Sequence, residues 1–197
     1  MYKCALCKVR ACENEMNNAP SGCPGLGEIS EANEGYLCDE NYELSRVSSV
    51  VAAQSGKTRI EEIMEFSRQN GFKKIGLVFC TSMSAEAEII DKIFSHNGFQ
   101  TESVLCKVGS LSKELIGLEK TKMPMCNPIA QADVLNKIET DLNVIVGLCV
   151  GHDILFTKYS KAPVTVLAVK DRVLAHNPLG AVYLANTFYY GKLFPRL

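Results

Sequence analysis

The sequence has no tryptophan, only three histidines, and no excess of charge, with 21 Lys and Arg against 22 Asp and Glu and a formal charge of −1. A balanced chain without a basic run lacks the electrostatic footprint of a nucleic-acid binder. It also lacks the polybasic segment that draws a protein to anionic membranes. Long apolar runs are missing too. The longest lie around Val144–Gly151 and Val164–Val169, far short of the roughly 18 residues that a membrane helix needs. The opening Met-Tyr-Lys-Cys-Ala-Leu-Cys has no hydrophobic signal core. These absences lead us to expect a cytoplasmic protein with neither nucleic acid nor membrane as partner.

At 197 residues, with 47% hydrophobic and 22% charged content, the chain suits one ordinary domain plus a small appendage. What it does have in quantity is cysteine, nine in all. In a reducing compartment disulfides rarely persist, so metal ligation or thiol chemistry is the better explanation. Cys4, Cys7, Cys12, Cys23 and Cys38 crowd the start, whereas Cys80, Cys106, Cys126 and Cys149 are spread through the remainder.

Residues 1–40 carry Pro20, Gly22, Pro24, Gly25, Gly27 and Gly35 but almost no hydrophobic periodicity. Such a segment cannot build a core of its own. The spacing Cys4-x2-Cys7-x4-Cys12-x10-Cys23-Pro24 offers four thiolates, two of them within one turn. That donor set suits tetrahedral zinc or an iron–sulfur cluster rather than magnesium or calcium. The pattern does not separate zinc from iron, and Cys38 is an alternative to Cys23 as fourth ligand. The competing explanation is a floppy leader of free thiols, which oxidation would make hazardous. We therefore expect a cysteine-rich metal-binding module over residues 1–40.

From Asn41 the pattern changes, and residues 41–197 read as a Rossmann-like or flavodoxin-like α/β domain. Leu44, Val47, Val50 and Val51 form one helical stripe, and Ile60, Ile63, Met64 and Phe66 another, closed near Gly71. Lys74–Cys80 is a short buried strand, followed by a helix over Glu86–Phe94. Further strands are expected at about Ser103–Val108, Asn143–Cys149 and Val164–Val169. Helices are expected from Pro128 to Thr140, from Asp153 to Tyr159, and from Pro178 to about Tyr189. Strands apolar on both faces and separated by helices argue a small, doubly wound parallel sheet of about four strands with helices on both faces. The order 2-1-3-4 is expected.

In such folds ligands bind outside the carboxyl ends of the strands, and the unusual residues fall there. Cys80 ends the first strand, Cys126-Asn127-Pro128 enters a helix, and Cys149 follows the third strand in Gly147–Asp153. Lys170-Asp171-Arg172 follows the fourth, and His176-Asn177-Pro178 precedes the last helix. Three functional readings compete. Cys80, Cys126 and Cys149 can hold a second metal or cluster. Cys149 can be a nucleophile with His152 as its base, with Asp171 and Arg172 as further catalytic candidates. Lys170 and Arg172 can bind a small anionic ligand near helix amino ends. Against these stands the plain alternative of small buried hydrophobes at strand ends. Cys106 reads as core.

Ser55-Gly56-Lys57-Thr58 looks like the tail of a phosphate-binding loop. That motif needs a glycine at position 51 and a strand ahead of it. Val51 stands there, behind a helical pattern. We reject nucleotide binding at this place.

Together Cys4-Ala5-Leu6-Cys7, Cys12, Cys23-Pro24, Cys126-Asn127-Pro128-Ile129-Ala130-Gln131-Ala132, Gly147–Asp153, Lys170-Asp171-Arg172-Val173 and His176-Asn177-Pro178 resemble an uncharacterised metal-binding protein family of archaea and anaerobic bacteria. The resemblance spans essentially the whole chain. It implies metal binding by the N-terminal cysteines and an anaerobic setting, and it implies no known reaction. The expected function is thus a metal-binding protein whose N-terminal centre is structural or electron-transferring, with a redox protein as partner in the latter case. The alternative is an enzyme that uses the rim cysteines on a small anionic substrate.

Overall fold

A computed structural model describes residues 3–27 and 29–195. Met1, Tyr2 and Glu28 of the expected module, and Arg196 and Leu197 of the expected α/β domain, lie outside them. The chain divides into two compact units, Met1–Gln54 and Ser55–Leu197.

The first unit opens with four successive 3-10 turns, Cys4–Leu6, Ala11–Glu13, Met16–Asn18 and Pro24–Leu26. Among the described residues up to Leu26, Ala11 is the one buried side chain. Helix α1 (Ser30–Glu34), a turn at Gly35–Leu37 and helix α2 (Asp39–Ala52) follow. Asp39 and Glu40 occupy the first turn of α2, where carboxylates complement the helix dipole. The expected boundary after residue 40 concerns which residues fold alone, a matter for truncation.

The second unit begins with helix α3 (Arg59–Gln69). Thr58 is its N-cap, and Thr58 with Glu61 forms a capping box, the Thr58 N–H donating to Glu61 Oε2 at 2.7 Å. The threonine of the phosphate-loop look-alike is thus part of a helix start. Strand β1 (Lys74–Phe79), helix α4 (Ser84–His96), strand β2 (Gln100–Leu105), helix α5 (Pro128–Ile138), strand β3 (Leu142–Val146), helix α6 (His152–Tyr159) and strand β4 (Val164–Ala168) alternate. Two short helices, α7 (Leu179–Tyr183) and α8 (Tyr190–Leu193), complete the unit.

The four strands form one parallel sheet in the order β2-β1-β3-β4, as the sequence pattern leads one to expect. The chain leaves β1 first toward β2 and then returns past β1 to β3. Right-handed crossovers in opposite directions place α4 and α5 on opposite faces of the sheet. Ile75, Leu77 and Val78 of β1 and Val144, Ile145 and Val146 of β3 are buried, with Phe94, Leu135 and Phe156 packed in the same core. Each such side chain contributes about 1.5–3 kcal/mol relative to leaving it exposed. Arg59 of α3 donates to Thr165 Oγ1 at 2.7 Å and to the Val166 carbonyl at 3.5 Å, both on the terminal strand β4. No helix among the described residues is long and apolar enough to cross a membrane.

Three of the differences from the expected element boundaries have a local cause. β2 starts at Gln100 because Gly98, in the left-handed region at φ 87°, turns the chain straight from α4 into the register Lys74↔Gln100. β3 stops at Val146 because Gly147 takes φ 63°. Of the expected helix from Pro178 to Tyr189 only Leu179–Tyr183 forms; turns follow it, and a second short helix starts beyond that range at Tyr190. Neither piece buries a side chain, and a helix without an apolar face against a core gains little from packing.

Candidate functional site

The sheet order reverses between β1 and β3, and ligand crevices of open α/β sheets lie outside the carboxyl ends at such a point. Cys80 stands there. Its N–H still donates to the Val146 carbonyl at 3.2 Å, so the ladder continues one residue beyond β1 before the turn Thr81–Met83 leads into α4. Met83 lies over Gly147, where an added Cβ would come within 2.8 Å of Met83 Cγ. A side chain at 147 would therefore collide with the turn, besides being strained at positive φ.

Ser82 Oγ donates to Cys80 Sγ at 3.5 Å, and Lys170 Nζ, arriving from the end of β4, donates to Ser82 Oγ. Burial pushes the Cys80 thiol up. The Ser82 hydrogen bond and the Lys170 ammonium outweigh it and bring the pKa down to about 7. A cationic neighbour of this kind makes a thiolate available near neutral pH.

Cys106 continues β2 as Cys80 continues β1. Its N–H donates to the Phe79 carbonyl at 3.0 Å. Its Sγ accepts from the Thr81 N–H at 3.4 Å and stands 3.8 Å from Cys126 Sγ. Burial, with the neighbouring Cys126 and Cys80 sulfurs, pushes the Cys106 thiol up to about 12 despite the Thr81 amide. Cys126 is held in place by the segment that follows it. The Asn127 N–H donates to the Cys106 carbonyl at 2.8 Å, and Asn127 Oδ1 caps α5 by accepting from the Ala130 N–H at 3.1 Å. Gln131, fully buried, donates from Nε2 to the Val104 carbonyl at 2.7 Å, while its Oε1 has no hydrogen-bond partner among the described residues. This segment thus stitches the amino end of α5 to the end of β2.

Of the three cysteines expected to converge, Cys126 meets Cys106, and Cys80 precedes Thr81, whose N–H donates to the Cys106 sulfur. Cys149 instead accepts from Arg172 Nη2 at 3.5 Å. His152 starts α6, its N–H donating to the Cys149 carbonyl at 2.8 Å. The charged group at the Cys149 sulfur is accordingly Arg172. Asp171 accepts from the Val173 and Leu174 N–H groups at 2.9 and 2.8 Å, and His176 Nδ1 lies 3.0 Å from the Val169 carbonyl. Both shape the loop that presents Lys170 and Arg172. Cys106 lies in the core, as sequence reasoning assigned it; its place beside Cys126 was not foreseen, because the expected strand Ser103–Val108 put it inside β2 rather than at its end.

In the first unit, the Cys7 N–H donates to the Cys4 carbonyl at 3.0 Å. The Arg10 N–H, with Arg10 at φ 47°, donates to Cys7 Sγ at 3.4 Å. Cys12 sits in the turn Ala11–Glu13, and Cys23 and Cys38 precede the turn at Pro24 and helix α2. Among the described residues, no three His, Cys, Asp or Glu side chains form a group that would hold a metal ion.

Residues 25–167 match the family described as a protein of unknown function, DUF1847. The chain belongs to the DUF1847 family. An uncharacterised protein of Methanocaldococcus jannaschii is 50% identical to it over 165 residues, which cover 81% of this chain and 83% of the relative. The DUF1847 match includes Cys80, Ser82, Cys106, Cys126 and Cys149. It begins after Cys23 and ends before Lys170.

Proposed function

We propose that the carboxyl rim of the sheet is a thiol-chemistry site for a small anionic ligand, with Cys80 as its nucleophile. The observation that carries this reading is the hydrogen-bonded chain Lys170–Ser82–Cys80 at the reversal of strand order. Lys170 serves twice, favouring the ionised sulfur and attracting an anion, and Arg172 beside Cys149 adds a second cation to the same rim. A comparison of alkylation by anionic iodoacetate and neutral iodoacetamide tests it. Cys80 should react with iodoacetate at least as readily as with iodoacetamide, and Lys170→Met should remove that tolerance of charge. Preferential modification of Cys149, or indifference to Lys170, would replace Cys80 as the nucleophile.

A second reading concerns the N-terminal cysteines, with Cys4, Cys7, Cys12 and Cys23 holding zinc or an iron–sulfur cluster and Cys38 the alternative fourth ligand. It is favoured by the amide-to-sulfur bond from Arg10 to Cys7, because a thiolate ligand is a strong acceptor and such bonds orient it. The near-coreless run of turns also leaves room for an inorganic stabiliser. Bound metal would hold these turns together. In an iron–sulfur form it would also exchange single electrons with a redox partner protein. Elemental analysis and the visible spectrum of anaerobically purified protein decide between zinc, iron and neither.

A further inference from the structure

Cys106 meets Cys126 directly and lies against the turn that follows Cys80. Cys80 and Cys106 each follow the last pair of the β1–β2 ladder, Phe79↔Leu105, and the Cys106 sulfur is 3.4 Å from the nitrogen of Thr81, the residue after Cys80. Cys126 is 3.8 Å from Cys106 on the far side. A disulfide needs about 2.05 Å between sulfurs, so Cys106 and Cys126 are short of a bond by a distance that side-chain rotation can close. The stretch 117–127 before α5 contains no helix or strand, so closing the bond disturbs no strand ladder on the Cys126 side.

We propose that these three cysteines exchange with disulfides of low molecular mass, Cys80 attacking and the Cys106–Cys126 pair taking up the oxidation. The inference rests on the reading of Cys80 as nucleophile and names its substrate class. In the first step the Cys80 thiolate attacks one sulfur of RSSR′, forming Cys80–S–S–R and expelling R′S⁻, which takes a proton from solvent. Cys106, giving up its proton to solvent as it attacks Cys80 Sγ, then expels RS⁻, which takes the proton of Cys126. Finally the Cys126 thiolate attacks Cys106 Sγ, forming the Cys106–Cys126 disulfide and releasing Cys80 as thiolate beside Ser82 and Lys170. The net change is two protein thiols plus RSSR′ giving one protein disulfide plus RSH and R′SH. The final step favours Cys80 as leaving group, because the sulfur of lower pKa departs faster.

Unoxidised full-length protein is incubated anaerobically with oxidised glutathione, quenched by acid, and its cross-linked peptides are mapped by mass. The expected product is a Cys106–Cys126 link, formed at least about tenfold more slowly in Cys80→Ser. In Cys126→Ser the reaction should stop with Cys80 carrying glutathione or joined to Cys106. A wild-type pair that stays reduced, or a link formed equally fast in Cys80→Ser, overturns the proposal. Should Cys80 show its Lys170-dependent alkylation while no link forms, the relay falls and the thiolate site stands.

Discussion

Lys170 and Ser82, 88 positions apart in sequence, are joined by a hydrogen bond across the end of β3. The bond turns a serine hydroxyl into a polarised donor toward Cys80 and ties the loop after β4 to the turn after β1. Neither residue alone would single out Cys80; the pair gives its sulfur a hydroxyl donor backed by an ammonium.

Lys170→Met should raise the Cys80 pKa from about 7 toward its ordinary value of 9.0. Ultraviolet thiolate absorbance, compared with that of Cys80→Ser, measures it. The sign for stability follows from a depressed folded-state value. The Lys170–Cys80 interaction stabilises the fold fully above pH 9.0 and loses that contribution as pH falls through about 7. The stability difference between wild type and Lys170→Met should therefore shrink on acidification across that window. A difference independent of pH would mean that Lys170 acts on packing alone.

Gly147→Ala should destabilise the second unit by roughly 1–3 kcal/mol, from the left-handed backbone and the collision with Met83. The double variant Gly147→Ala, Met83→Ala should lose less than the sum of its single variants, because the collision is then absent. Denaturant midpoints of the four proteins check the coupling. Additive losses would show that backbone strain is the whole effect.

Cys7→Ser should remove one bound metal centre and leave the first unit more open to protease. Metal content per chain, measured by elemental analysis, checks it. An unchanged content would remove Cys7 from the ligand set.

A chain starting at Asn41 should unfold cooperatively, because the buried strands β1 and β3 and their packing partners lie between Ile63 and Phe156. Thermal unfolding followed by circular dichroism tests this. A transition without cooperativity would mean that the cysteine-rich residues take part in the core.

Strand number, direction and order were legible because buried parallel strands read as short apolar runs between helices. KIGLVFC and NVIVGLC each disclose a strand, although β3 ends at Val146, before Gly147. The site was legible only in outline. That Cys80, Cys126 and Cys149 share a strand-end rim follows from topology, but which sulfur faces which partner depends on side-chain reach. Lys170 and Arg172 stand two residues apart and serve different cysteines, Cys80 through Ser82 and Cys149 directly. Cys106 is the core residue that the sequence suggested, and only the structure shows Cys126 beside it. The last helix misled for a different reason. The run Leu179–Tyr189 is apolar enough to suggest a buried face, but Val182, Tyr183 and Phe188 are exposed.

Arg59 gives the sheet a guarded flank. A terminal parallel strand presents unpaired backbone groups that can recruit a strand from another molecule. By grasping Thr165 and Val166, the Arg59 guanidinium occupies that template with a bulky, hydrated cation. The same helix start that fixes α3 thus also discourages one copy from stacking edge to edge on the next. Concentrated protein carrying a small apolar residue at position 59 would be the first place to look for fibrous assembly.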